Sequence, residues 1–226
     1  MKGLIISMNL SEYFKKMERI LKSELKEDYN EFNLLLENYR NKIIPKSFPE
    51  KFLDTPFSFK YRSRVIDLQG FAILSEDWIN PLAEYIGNRK VLEIMGGYGS
   101  LAKCLSDRGV NIITTDNFSR TDKERAWIDN IEELDCYSAV KKYGKDVDII
   151  LVCWPPMSNH LRTVLNMMRK INKDAIMIYI GEHWDGCTAS NLLFTTAEEI
   201  HDKRIDKINR LYPSWGNVYD KIMLFK

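Results

Sequence analysis

Cysteine is scarce in this chain and follows no pattern. Its four residues, Cys104, Cys136, Cys153 and Cys187, are scattered, with no C-x-x-C pair. The usual zinc spacings are thereby excluded and a disulfide framework is disfavoured, which points to a reducing compartment. Long apolar runs are missing too, and no stretch is long enough to span a bilayer. The opening residues Met1 to Met8 combine a basic start with an apolar run too short for a signal-peptide core, so a cytoplasmic protein is expected. Neither sign of charge dominates. With 33 Lys and Arg against 32 Asp and Glu the net charge is +1, and no dense basic stretch occurs. No strong electrostatic footprint on nucleic acid or membrane is expected from that balance. Of the three histidines, His160 and His201 fall in helical patterns and read as structural or surface residues.

What is present is organised around the stretch Val91 to Ala102. A buried-strand run ends at Met95, glycines follow at Gly96, Gly97 and Gly99, and a helical pattern starts directly behind them. Glycines suit that place because the chain must turn tightly and because a Cβ would hold the backbone away from a ligand. The following helix N-terminus offers unpaired N–H groups. Gly97 to Ala102 fits a G-x-G-x-x-A dinucleotide fingerprint, and Asp116 lies where a ribose-binding acid belongs, about 20 residues on.

At 226 residues the chain accommodates one α/β domain with an appendage. Residues 9–44 are helical in pattern, with apolar positions at Phe14, Met17, Leu21 and Leu25 and then at Phe32, Leu35, Leu36 and Tyr39. Two amphipathic helices packed on the main domain are expected there. Pro45, Pro49 and Pro56 break the pattern and mark a connector, followed by an aromatic and polar segment from Phe57 to Leu74. Ser75 reads as the N-cap of a helix from Glu76 to Ile86. The spacing then predicts strands to Met95, at Val110–Thr115, Ile131–Leu134, Val147–Cys153 and Ala175–Ile180, with helices at Ser100–Arg108, Asp122–Ile128 and Tyr137–Tyr143. Two closing strands are expected at Arg204–Leu211 and Val218–Phe225, around the turn Pro213-Ser214-Trp215-Gly216. The fold class is therefore α/β: a Rossmann-like, seven-stranded, mostly parallel sheet with an antiparallel C-terminal hairpin and an N-terminal helical cap.

In such sheets ligands bind beyond the carboxyl ends of the strands. Strand one ends in Glu93 and the glycines, giving Glu-x-x-Gly-Gly-x-Gly, which resembles the first motif of class I S-adenosylmethionine (SAM) methyltransferases. The resemblance implies that Glu93, Gly96, Gly97, Tyr98 and Gly99 hold the methionine end of the cofactor. Strand two ends in Asp116-Asn117, suited to ribose hydroxyls. Strand three ends in Asp135-Cys136, an adenine site by the same resemblance; Asp135 serves equally well as a helix cap, and one residue can do both. Strand four ends in Cys153-Trp154-Pro155-Pro156-Met157, similar to the Pro-Pro motif of nucleic-acid exocyclic-amine methyltransferases. It departs from that motif at both flanks, where Trp154 and Met157 replace a polar residue and an aromatic one. Trp154 could wall a flat or cationic substrate, or simply be core. Strand five ends in Gly181-Glu182-His183-Trp184-Asp185-Gly186-Cys187-Thr188, where His183 could act as a general base oriented by Glu182 or Asp185. His183, Asp185 and Cys187 match no standard metal spacing, so no metal is expected.

Further stretches, Gly70 to Glu76, Leu151 to Pro156, Tyr179 to Glu182 with Gly186 to Thr188, and Pro213 to Gly216 with Tyr219-Asp220, resemble an uncharacterised group of class I methyltransferase-like proteins. The resemblance covers 57–226 and leaves 1–56 as an N-terminal extension. It implies the fold and SAM as cofactor and brings no substrate; Cys153 is expected near the cofactor, and Trp154, Glu182 and His183 are expected to face the acceptor, read as a small molecule. Leu74, where proline is expected, and Met95-Gly96-Gly97, in place of a Gly-x-Gly core, depart from the pattern. A nucleic-acid methyltransferase, an NAD enzyme and an inactive SAM-fold partner subunit are the alternatives.

Overall fold

The computed structural model describes residues 26–226 without a break and, ahead of them, residues 11–13, 15, 16, 19 and 23. Phe14, Met17, Leu21 and Leu25, the apolar positions of the first expected helix, lie outside the described residues. The second expected helix is α1 (Lys26–Arg40), with Phe32, Leu35, Leu36 and Tyr39 buried along one stripe. Its stripe belongs to the same apolar core as the sheet, and the Tyr39 hydroxyl donates to the Leu74 carbonyl at 2.9 Å.

The Phe57 to Leu74 segment holds a helix that its composition hides, α2 (Ser58–Gln69). Its buried positions, Tyr61, Val65 and Gln69, repeat at helical spacing, but only one of the three is aliphatic. Helix α3 (Glu76–Ile86) starts and ends where expected. Ser75 occupies its N-cap position without capping through its side chain. The first N–H groups of α3 instead reach the connector, Glu76 to the Pro45 carbonyl and Asp77 to that of Lys46, each at 3.0 Å.

The sheet alternation follows as β1 (Val91–Glu93), α4 (Ser100–Ser106), β2 (Ile112–Asp116), β3 (Glu132–Glu133), α5 (Cys136–Tyr143), β4 (Ile149–Cys153), α6 (His160–Ile171) and β5 (Ile176–Glu182). Two short helices, α7 (Asn191–Thr196) and α8 (Lys203–Asn209), lead to β6 (Asp220–Phe225). The order is β3-β2-β1-β4-β5-β6, with β6 antiparallel to β5 and the rest parallel. The described sheet therefore has six strands where seven are expected. Where a strand is expected at Arg204–Leu211, α8 runs to Asn209 and a turn follows, because Ile205 and Ile208 bury one side of the helix at a spacing of three, and Asp202 caps it by accepting from the Arg204 N–H. The helix expected at Asp122–Ile128 shrinks to a single 3₁₀ turn, Lys123–Arg125. Beyond it Trp127 is drawn inward, its indole N–H donating to the Leu68 carbonyl at 2.9 Å.

Strands β4 and β5 alternate between two cores, as strands covered on both faces must. Ile149, Leu151, Ile178 and Ile180 face α1 to α4 and α8, while Ile150, Val152, Met177 and Tyr179 face α5 to α7. That alternation decides which side chains meet at the strand ends. Among the described residues no helix is long and apolar enough to cross a membrane.

Candidate active site

Strand order reverses between β1 and β4, and a crevice beyond the carboxyl ends at such a switch point is where open α/β sheets bind ligands. One wall is the glycine loop. Met95, Gly97 and Gly99 all have positive φ, at 54°, 58° and 67°. The middle of the loop is tied down by Gly96 N–H to the Thr115 carbonyl at 3.0 Å.

Beneath that loop lies Glu93, 1% exposed, whose Oε2 has no hydrogen-bond partner. A Cβ on Gly96 would lie 2.7 Å from Oε2 and 2.7 Å from Thr114 Cγ2. Gly96 is therefore a lid on the acid, and only a residue without a side chain fits. Burial pushes the Glu93 carboxyl up to about 8; the nearby Thr114 hydroxyl pulls the other way and the Asp116 charge adds to the rise. The Thr114 hydroxyl, also buried, closes no hydrogen bond by geometry. Cys153, at the end of β4, feels the Glu93 charge, and its thiol is held far above the usual range, chiefly by burial.

Asp116 clasps the loop from β2. Its Oδ2 accepts from the Gly97 N–H at 2.8 Å, and its Oδ1 from the Phe118 N–H at 2.7 Å and the Thr121 hydroxyl at 3.3 Å. Asn117 turns outward and accepts from Ser119. Tyr98 is covered by the Arg125 guanidinium, 5.0 Å from its ring, and its carbonyl accepts from the Trp127 N–H. Ile128 and Ile131 press against Gly99, 2.8 and 2.9 Å from where a Cβ would stand. Asp135 caps α5, accepting from the Tyr137 and Ser138 N–H groups and the Ser138 hydroxyl. That hydroxyl first, then the N–H groups, keep its carboxyl below the ordinary range. Cys136 behind it is buried, which pushes its thiol up to about 11.

The other wall starts at Trp154. Its φ is 51°, its N–H donates to the Ile180 carbonyl at 2.7 Å, and its indole N–H donates to Asp220 Oδ2 at 2.9 Å. Asp220 is held in turn by the Tyr212 and Ser214 hydroxyls, each at 2.6 Å. The fixed indole stacks on Phe71, with centroids 5.2 Å apart and planes 15° apart, and Arg62 of α2 stands 5.8 Å from its ring. Neither Phe71 nor Arg62 is singled out by sequence reasoning as a contact. The hidden helix α2 accounts for Arg62, and Phe71 reaches Trp154 only through the tertiary fold.

The Glu182–His183 pairing expected from the sequence does not form. Successive strand residues point to opposite faces, so the two part at the end of β5. Glu182 faces Arg62 and accepts from the Cys187 N–H at 2.7 Å and the Tyr219 N–H at 3.3 Å. Burial acts to raise its carboxyl, but those N–H groups, the Cys187 thiol and the Arg62 charge outweigh it and leave it lowered. His183 packs on the other face, 4.6 Å from the Phe194 ring and 5.8 Å from Trp184. Burial, then the Lys221 charge, lowers its imidazole below the usual value. Asp185 bonds to Asn191 and not to His183. Among the described residues no group of three His, Cys, Asp or Glu is placed to hold a metal ion.

The chain matches no protein-family model, and none of the curated proteins matches it. Among solved structures it is similar to a SAM-dependent methyltransferase from Agrobacterium tumefaciens, at 12% identity over 70% of this chain and 63% of that one, with a TM-score of 0.40. It is also similar to a SAM-bound magnesium protoporphyrin IX methyltransferase from Synechocystis, at 12% identity over 76% and 84% of the two chains and a TM-score of 0.43. A third is human N-acetylserotonin methyltransferase in complex with SAM, at 15% identity over 92% and 69%, with a TM-score of 0.40. The chain thus spans under two thirds of the length of the Agrobacterium protein. At such scores these likenesses carry no functional argument, and the function is argued from the chain's own residues.

Proposed function

We propose that the protein is a class I SAM-dependent methyltransferase acting on a small-molecule acceptor by in-line displacement. The observation that carries this reading is the buried Glu93 carboxyl, its Oε2 without a hydrogen-bond partner, beneath the Gly96–Gly99 loop at the switch point of the sheet. An uncompensated buried acid is costly, and a ligand ammonium would offset that cost. The methionine end of SAM brings one.

The residues present fit the cofactor. Glu93 would meet the ammonium, with Gly96, Gly97, Tyr98 and Gly99 shaping the loop around the methionine end. Asp116 keeps acceptor capacity on Oδ2, which takes only the Gly97 N–H, and with Asn117 would receive the ribose hydroxyls. Asp135 and Cys136 stand at the end of β3 for the adenine. Bound SAM supplies a sulfonium methyl that is electrophilic without further activation. The chain's task is then to exclude water and place the acceptor atom in line. Cys153, at the end of β4, would stand by as a neutral thiol, since burial holds it protonated. Trp154 and Glu182 shape the acceptor side, and His183, on the opposite face, is left outside the chemistry.

A second reading, a SAM-fold subunit without activity, is favoured by one feature: the Gly97 N–H is already spent on Asp116, while Ile128 and Ile131 press on Gly99. Calorimetric titration of the whole protein with SAM and S-adenosylhomocysteine separates the two. Micromolar binding that weakens at least about tenfold in Asp116→Ala, with the fold intact by circular dichroism, supports the enzyme reading. Absence of binding by either ligand overturns it in favour of the inactive subunit.

A further inference from the structure

The corner formed by Arg62, Phe71 and Trp154 is built more firmly than a surface aromatic patch requires. Trp154 is fixed through its backbone N–H, through its indole N–H to Asp220, and by the proline pair behind it. Yet the ring is only partly buried, and Phe71, stacked on it, is 47% exposed. A rigid, half-open aromatic surface is preorganised to receive another flat ring, since little side-chain freedom is lost on binding.

Arg62 supplies the polar element. Its guanidinium stands over Trp154 and makes no ion pair or hydrogen bond among the described residues. The acid it faces, Glu182, has its two oxygens turned to the Cys187 and Tyr219 N–H groups. The five N–H donors of Arg62 are thus left to a ligand, and their planar fork matches a carboxylate. Asp220 does not compete for them, because three side-chain donors already surround it.

We infer that this corner binds the acceptor and selects an aromatic carboxylate, its ring on the Phe71–Trp154 surface and its charge on Arg62. That the ligand is a methyl acceptor rests on the methyltransferase reading; that it binds here does not.

The test is equilibrium dialysis of the whole protein, without cofactor, against 2-naphthoate. Its neutral isostere 2-naphthamide, the planar cation N-methylquinolinium and the non-planar cyclohexanecarboxylate serve as comparisons. Wild type should hold 2-naphthoate at least about tenfold tighter than the other three, the size expected of one charge-assisted pair. Arg62→Gln should remove the preference over 2-naphthamide, and Arg62→Lys should restore part of it. Phe71→Leu, at an exposed position, should weaken 2-naphthoate severalfold without changing the melting temperature. Equal binding of naphthoate and naphthamide, preference for the cation, or an Arg62→Gln protein that binds as wild type overturns the inference. S-Adenosylhomocysteine titration of the same variants keeps the two readings apart. Selective naphthoate binding without nucleoside binding sinks only the methyltransferase reading, and the reverse sinks only the aromatic-acid site.

Discussion

Glu182 and Asp220 are register partners across the antiparallel β5–β6 pair, and both are buried. Opposed like charges destabilise a sheet unless something holds each of them. Here hydrogen-bond donors do so. Glu182 takes the Cys187 and Tyr219 N–H groups, and Asp220 takes the Tyr212 and Ser214 hydroxyls and the Trp154 indole N–H. Those donors come from the loops after β4 and β5 and from the segment before β6. The two acids therefore tie these segments to the edge of the sheet.

Trp154→Phe tests that arrangement, because it keeps a ring against Phe71 and removes one donor from a buried carboxylate. The loss should be about 1–3 kcal/mol, which at this chain length lowers the melting temperature by about 2–4 °C per kcal/mol. Ser214→Ala should cost a similar amount, and the double variant should depart from the sum, since both act on Asp220. A Trp154→Phe protein that melts with the wild type would show the network to be idle.

Gly96 and Gly97 should respond differently to alanine. At Gly96 the added methyl meets Glu93 Oε2 and Thr114 Cγ2, both buried and unable to yield. Overpacking of that kind costs about 1–3 kcal/mol. At Gly97 the nearest atom is Thr121 Cγ2 at 3.6 Å, so only the left-handed backbone, at φ +58°, is at issue. That cost is about 1–2 kcal/mol. Thermal denaturation measures both. Glu93→Ala combined with Gly96→Ala should recover part of the Gly96 loss and none of the Gly97 loss, and failure to do so would rule out the lid relationship.

Folding stability should decline as pH rises from the ordinary carboxyl value toward about 8. Below 4.5 Glu93 is protonated whether the chain is folded or not, and burying it carries no charge penalty. As pH rises from 4.5 to about 8 the unfolded chain ionises while the folded one keeps its proton, so stability falls across that window and levels off above it. The slope is at most about 1.4 kcal/mol per pH unit. Glu182 acts in the opposite sense. Its carboxyl is lowered in the fold, so its contribution is present above 4.5 and is lost as pH falls through the folded value. Urea denaturation from pH 4 to 9 should show this fall between pH 4.5 and about 8 in wild type and its absence in Glu93→Gln. A flat profile in both would mean that the acid is not held protonated.

The parts of this site that were legible in the sequence are those set by local rules. A strand, a glycine turn and a helix start fix Glu93, Gly96 to Gly99 and Asp116 within a few residues of one another or at adjacent strand ends. Period two along β5 also sends Glu182 and His183 apart, a consequence that reading the loop as one cluster overlooks. Arg62 and Phe71 were illegible for another reason. Helix α2 buries Tyr61 and Gln69 in place of a clean aliphatic stripe. The Phe71–Trp154 stack depends on how that helix packs, which no local pattern encodes. The tail invites a strand reading because Ile205, Ile208 and Leu211 are good strand formers. The spacing of Ile205 and Ile208, with the Asp202 cap, decides for a helix.

The elevated Glu93 carboxyl also gives the cofactor proposal a signature that does not depend on catalysis. At pH 7 a group held near 8 is mostly protonated. An ammonium placed beside it favours the charged form, so binding S-adenosylhomocysteine should drive the proton off. Close to one proton should be released per site at neutral pH, read as a dependence of the calorimetric enthalpy on the ionisation enthalpy of the buffer. By linkage the affinity should rise between about pH 5.5 and 7.5, by up to about tenfold per unit. Glu93→Gln should bind more weakly and lose both the proton release and the pH dependence. If wild type binds the nucleoside with no buffer dependence, the ammonium does not sit on Glu93. The cofactor would then have to be placed elsewhere along the strand ends.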